Sequence, residues 1–170
     1  MKRKTDQDQT IQAPERTPNT SPTVPHVVIV GGGFGGLQAA KALGKQAVQV
    51  TVIDQNNFHL FQPMLYQIAT AGLSPSDIAT PLRALLEKQQ NTDILMATVL
   101  DIDTQGQHVI MDNNQALHYD YLILATGATS NYFGHPEWAR LAPSMKTLDE
   151  ALVVRRVVLS AFEVANRTPD

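Results

Sequence analysis

Three short, almost unbroken apolar runs organise this chain of 170 residues. The first is His26-Val27-Val28-Ile29-Val30, in which β-branched residues follow one another without polar alternation. A strand with one wet face alternates, so this run predicts a strand covered on both faces, as in a parallel sheet. Val48-Gln49-Val50-Thr51-Val52-Ile53 predicts a second strand, closed by Asp54. Tyr121-Leu122-Ile123-Leu124 predicts another apolar buried strand, ending in Ala125-Thr126-Gly127. After the first strand, Leu37, Ala39, Ala40, Ala42 and Leu43 form a helical pattern, with Gly44 near its end. Residues 26–54 therefore read as one βαβ unit of about 30 residues.

The intervening chain is less regular. Asn56 to Pro63 reads as a loop and Met64 to Ala71 as a short helix. Ser74-Pro75-Ser76-Asp77 is a helix start: a capping serine, proline at the first helical position and an acid in the first turn. Ile78, Leu82, Leu85 and Leu86 then mark one helical face up to about Gln89. From there the period changes. Ile94 to Ile102, His108 to Met111 and Ala116 to Tyr119 read as three strands of a β-meander, with turns at Gln105-Gly106 and Asn113-Asn114. Thr147-Leu148-Asp149-Glu150 is a capping box that opens a long helix through about Asn166.

Residues 1–24 stand apart. They are rich in Pro, Gln, Thr and Asn and hold almost no large apolar residues, too little to offset the entropy of ordering them. They are expected to form a disordered polar tail ahead of one domain over residues 25–170. With 43% hydrophobic residues in the chain as a whole, the domain can bury a real core. A net charge of −3 and 17% charged residues leave no basic footprint for nucleic acid. The absence of cysteine removes disulfide relays, thiolate metal sites and cysteine nucleophiles from this chain. No metal site and no catalytic acid or base is predicted. No apolar stretch approaches the roughly 18–20 residues of a membrane span, and Lys2, Arg3 and Lys4 are followed by polar residues where a signal peptide is apolar. A soluble, cytoplasmic chain is the expectation.

Candidate chemistry concentrates after the first strand. Gly31, Gly33 and Gly36 fit G-x-G-x-x-G. The first allows a tight turn, the second lets a pyrophosphate approach the backbone, and the third lets helix and strand pack closely. The helix N-terminus then offers N–H groups and a positive dipole end to phosphate. Asp54 ends the second strand, where an acid accepts hydrogen bonds from a ribose hydroxyl pair. This pattern alone leaves NAD, FAD and an adenosyl cofactor open. The meander in place of a second crossover helix favours FAD. So does the strand ending in Ala125-Thr126-Gly127, whose small residues let backbone pass close to a ligand.

Val27 to Leu37, Asn57 to Gly72 (NFHLFQPMLYQIATAG) and Tyr121 to Gly127 together closely resemble type II NADH:quinone dehydrogenases, single-chain flavoproteins with two dinucleotide-binding domains. The middle block is the most specific, His135-Pro136-Glu137-Trp138 and the helix from Thr147 also fit, and the likeness runs over about residues 26–167. The resemblance implies a Rossmann-like FAD-binding α/β fold with a parallel sheet and β-meander, incomplete at its C-terminus. Gly31, Gly33, Phe34, Gly35 and Gly36 would hold the FAD pyrophosphate and Asp54 its adenosine ribose. Gln62 and Pro63 would lie near the flavin ring. Val99 would contact adenine through its backbone, and Ala125, Thr126 and Gly127 would line FAD from the other side. His59 and Tyr66 carry groups able to donate protons, but a loop role and a packing role are preferred for them.

The resemblance further implies hydride transfer from NADH, the co-substrate, to FAD, then transfer of two electrons to a quinone. The parent protein would be peripheral on the inner face of the cytoplasmic membrane. Family members continue with a second glycine-rich βαβ unit and C-terminal amphipathic helices, and no second G-x-G-x-x-G occurs here. The chain therefore reads as the N-terminal FAD-binding part, expected to be inactive alone and to need a missing C-terminal half. The alternatives are a non-catalytic FAD or dinucleotide-binding module and a fragment of another FAD-dependent reductase.

Overall fold

The computed structural model describes residues 24–168. Apart from Val24, the expected tail lies outside the described residues. The strands are β1 (His26–Val30), β2 (Gln49–Asp54), β3 (Phe58–Leu60), β4 (Ala79–Pro81), β5 (Thr92–Met96), β6 (Val99–Asp103), β7 (His108–Met111), β8 (Ala116–His118) and β9 (Tyr121–Leu124). The helices are α1 (Phe34–Leu43), α2 (Leu65–Ala69), α3 (Pro75–Ile78), α4 (Leu82–Leu86) and α5 (Leu148–Arg167), with 3-10 turns at Gln62–Met64 and Pro136–Arg140.

A parallel sheet in the order β5-β2-β1-β9 is the spine of this Rossmann-like α/β fold. β1 is central, and its two faces explain its unbroken apolar run. Val27 and Ile29 pack with Leu37 and Ala40 of α1 and Leu82 and Leu86 of α4. Val28 and Val30 point the other way, onto Val109 and Met111 of β7 and onto Tyr119. Each such fully buried aliphatic side chain contributes roughly 1.5–3 kcal/mol relative to exposure. The antiparallel meander β6-β7-β8 thus covers the face opposite α1, in the layer where a second crossover helix would lie.

Two polar residues tie the layers. His26 Nδ1 donates to the His118 carbonyl at 2.8 Å, and its Nε2 lies 2.8 Å from Thr51 Oγ1, joining β1, β2 and β8. Asn91 Nδ2 donates to the carbonyls of Val48 at 2.9 Å and Leu43 at 3.0 Å, fixing the turn between α1 and β2.

Four expectations need correction. The run from Ile94 to Ile102 is two strands in different sheets. Ala97 N donates to Asp54 O at the end of the parallel ladder, and Thr98 O accepts from Asp112 N at the start of the meander. The helix expected from Pro75 to Gln89 is broken. Pro81 forces Thr80 towards extended backbone, so Ala79–Pro81 forms β4 between two short helices. The loop expected over residues 56–63 contains β3, which pairs antiparallel with β4. Finally, β9 has only β1 as a strand neighbour among the described residues, and Tyr121 and Leu124 are exposed rather than buried.

The capping box of α5 forms as the sequence predicts. Glu150 N donates to Thr147 Oγ1 at 3.2 Å, and Thr147 N donates back to Glu150 Oε2 at 3.0 Å. The first turn of α5 packs Ala151 against Leu65, Ile68 and Ala69 of α2 and Ile78 of α3, whereas Val157, Phe162 and Val164 of later turns are exposed. No helix among the described residues is long and apolar enough to cross a membrane.

Candidate functional site

The carboxyl ends of β1, β2 and β9 open into one cleft of about 950 Å³. β1 lies between β2, which follows it through α1, and β9, which arrives much later in the chain. A crevice outside the carboxyl ends of the strands, at such a reversal, is where open α/β sheets take ligands.

One wall is the glycine loop. Gly31 turns out of β1 at φ +106°, a left-handed value, and its N–H donates to Ile53 O at 2.7 Å. A Cβ at Gly31 would overlap the Ala125 carbonyl oxygen, so glycine is required twice over. Gly33 faces open space, with nothing within 4 Å of where its Cβ would be. A Cβ at Gly36 would overlap the Gly31 carbonyl, so α1 rests directly on the loop. α1 has no side-chain cap and no acid in its first turn. The N–H groups and positive dipole end of that turn therefore meet the cleft with no acid or capping side chain of α1 itself in between.

Asp54 stands at the end of β2 with both oxygens engaged. Oδ2 accepts from Gly32 N at 2.5 Å and Oδ1 from Asn56 N at 2.7 Å. Each oxygen keeps a further lone pair for a hydroxyl. Behind the loop, His59 Nδ1 lies 3.1 Å from the Gly32 carbonyl oxygen. Phe34 meets the rings of His59 and Phe61 edge-on, with centroids 5.0 and 5.5 Å apart. Tyr66 stays off the cleft lining, and its hydroxyl accepts from Gln67 Nε2 at 2.9 Å.

The facing wall is Ala125, Thr126 and Gly127, continued by Ala128, Thr129 and Ser130. Ala125 N donates to Val30 O at 2.8 Å, which extends the parallel ladder to the cleft rim. Ala97, Val99 and Ile102 of the β5–β6 region complete that end. Of the residues singled out from the sequence, Gly31, Gly33, Phe34, Gly35, Asp54, Gln62, Val99, Ala125, Thr126 and Gly127 line the cleft. Gly36 lies beneath it, as a packing glycine, and Pro63 is absent from the lining.

Sequence reasoning missed the far end of the cleft. Lys146 to Glu150 close it. Gln62 Nε2 donates to the Lys146 carbonyl at 3.0 Å, and Lys146 N donates to Glu150 Oε2 at 2.7 Å. The Lys146 N–H, with further help from Thr147 and Ser144, holds the Glu150 carboxyl below its ordinary range against a smaller opposing effect of burial. The capping box at Thr147 signalled a helix start, but its delivery to the cleft depends on α5 docking against α2.

Residues 25–161 match the family model described as pyridine nucleotide-disulphide oxidoreductase. The chain is 44% identical over 162 residues to the type II NADH:quinone oxidoreductase Ndh of Mycobacterium tuberculosis, covering 93% of this chain and 35% of that protein. It is 48% identical over 147 residues to the type II NADH:quinone oxidoreductase NdhA of the same organism, covering 85% and 31% respectively. The structure of NDH2 from Plasmodium falciparum in complex with NADH superposes with a TM-score of 0.75 at 27% identity, covering 85% of this chain and 30% of that one. The chain thus spans about a third of the length of the curated relatives it matches.

Proposed function

The chain belongs to the pyridine nucleotide-disulphide oxidoreductase family, and from that premise we propose that it is the FAD-binding part of an NADH:quinone oxidoreductase. The observation that carries this reading is the glycine loop. It is an open, Cβ-free approach at Gly33 over the uncapped start of α1, with the Asp54 carboxylate bonded to the loop at Gly32 and lining the same cleft. Pyrophosphate suits the loop and the helix N-terminus. A ribose hydroxyl pair suits the remaining lone pairs of Asp54. The two similarities at 44% and 48% identity point to the same chemistry.

FAD, when bound, supplies a ring that accepts hydride from NADH and passes two electrons on to a quinone. The residues of this chain bind and orient it. Gly31, Gly33, Phe34, Gly35 and Gly36 form and support the phosphate cradle. Asp54 holds the adenosine ribose, and Val99 borders the adenine through its backbone. Ala125, Thr126 and Gly127 line the opposite wall, while Gln62, Pro63 and the start of α5 flank the ring end. No side chain of this segment is assigned a proton. NADH and quinone are the partners of the whole protein, which we place at the inner face of the cytoplasmic membrane. The domain extends over residues 25–170.

A second reading follows from the chain's spanning about a third of its relatives: by itself it binds FAD and turns nothing over. One experiment addresses both. The purified chain is mixed with FAD and its visible spectrum recorded, then NADH is added anaerobically. Bound-flavin bands are expected, with slow or absent bleaching. A folded chain that leaves FAD free overturns the cofactor assignment. Rapid bleaching overturns the non-catalytic reading.

A further inference from the structure

Gly32, in the middle of the glycine loop, is held on both sides. Its N–H donates to Asp54 Oδ2 at 2.5 Å, and its carbonyl oxygen lies 3.1 Å from His59 Nδ1. A carbonyl only accepts, so Nδ1 carries the hydrogen and donates. Across a trans peptide bond, the C=O and the following N–H point in opposite directions. Drawing the Gly32 carbonyl towards His59 therefore turns the Gly33 N–H away from His59. Gly33 lines the cleft and is the N-cap of α1, whereas His59 is not part of the lining. The imidazole thus meets the cleft at second hand, through the Gly32 peptide it grips and through the Phe34 ring it packs against.

The alternative orientation of that peptide would present a carbonyl oxygen to the cleft, where it repels an anion. We infer that His59 is a positioning residue for the phosphate cradle: its Nδ1–H holds the Gly32 carbonyl back and aims the Gly33 N–H at a ligand phosphate. This rests on the reading of the cleft as a FAD site. The ring also meets the edge of Phe34 at 5.0 Å. A purely packing role for His59 is therefore the competing explanation, and the two predict opposite orders of damage.

The test uses the full chain and two variants, titrated with FAD and followed by quenching of flavin fluorescence, with thermal melting of each ligand-free protein alongside. His59→Asn keeps a donor near the Nδ1 position and loses the ring. His59→Phe keeps a ring against Phe34 and loses the donor. The expected result is FAD binding weakened about fivefold to tenfold in His59→Phe, the loss of one part-buried hydrogen bond, and within about threefold of wild type in His59→Asn. If His59→Phe fails to fold, His59→Leu takes its place in the same comparison. Binding lost in His59→Asn and kept in His59→Phe overturns the inference in favour of packing, as does wild-type affinity in both. A folded wild type that does not bind FAD overturns the cofactor reading itself, and the inference with it.

Discussion

Gly33 and Gly36 belong to one motif, yet the structure assigns them different work, and alanine should separate the two. At Gly36 a methyl would run into the Gly31 carbonyl, and Ile29 Cγ2, 3.3 Å away, closes the other side. Backbone cannot rotate aside as a long side chain can. Overpacking of this kind costs about 1–3 kcal/mol and more when backbone must move. The roughly 1 kcal/mol by which alanine exceeds glycine inside a helix offsets only part of that. A net loss of about 2 kcal/mol lowers the Tm of a domain this size by about 5–10 °C. At Gly33, by contrast, a methyl enters open space, and φ there is −69°. Alanine at that position changes stability by less than about 1 kcal/mol, because the small loss in N-cap preference is set against a stiffer unfolded chain. The methyl does occupy the approach of the phosphate. FAD affinity should fall at least tenfold, or about 1.4 kcal/mol. Melting curves and FAD titrations on Gly33→Ala and Gly36→Ala read both quantities. A Gly33→Ala variant that binds FAD like wild type, or that melts as early as Gly36→Ala, refutes the division of labour.

Three further outcomes are expected. Asp54→Asn offers one acceptor to two backbone N–H groups, those of Gly32 and Asn56, so it should lose about 1–3 kcal/mol of stability in a denaturant titration and bind FAD more weakly. Leu82→Ala removes a fully buried side chain lying directly beneath Gly32; a loss of about 2–5 kcal/mol is expected from chemical unfolding. The Glu150 carboxyl is held below its ordinary value of 4.5 by the Lys146 N–H before other causes, so its contribution to stability is present above that value and is lost as pH falls through the lowered one. Melting scans from neutral to strongly acid pH should show a shallower acid-side loss for Glu150→Gln than for wild type.

The central strands were legible because burial on both faces leaves no room for polar alternation: Val27 to Val30, and Val50 with Val52 and Ile53, announce their place directly. The glycine loop was legible because each of its constraints removes a Cβ. β4 was hidden because three residues, Ala79, Thr80 and Pro81, are strand only through pairing with Phe58 to Leu60, although Pro81 carried the signal that a helix must stop. The division at Ala97-Thr98 was hidden because apolar residues continue on both sides of it while the partner strand changes. Tyr121 and Leu124 resemble core residues by composition, and only the sheet order reveals an edge. Lys146 to Glu150 and the grip of His59 on Gly32 depend on tertiary docking, which no local pattern encodes.

The contacts that hold Gly32 come from the end of β2 and from β3, with Asp54 22 residues away and His59 27 residues away. The Gln62–Lys146 bond at the other end of the cleft spans 84 residues. Short loops close at lower entropic cost, and local openings propagate along contiguous cooperative units. The two ends of the cleft are therefore expected to open at different free-energy costs. In native-state hydrogen exchange, the Gly32 amide should open only with the βαβ unit, at close to the global unfolding free energy. The Lys146 and Thr147 amides should exchange through a smaller undocking of α5. A bound dinucleotide would then be gripped at its phosphates by the end of the cleft that opens only with the whole fold, and covered at its other end by the one that undocks first.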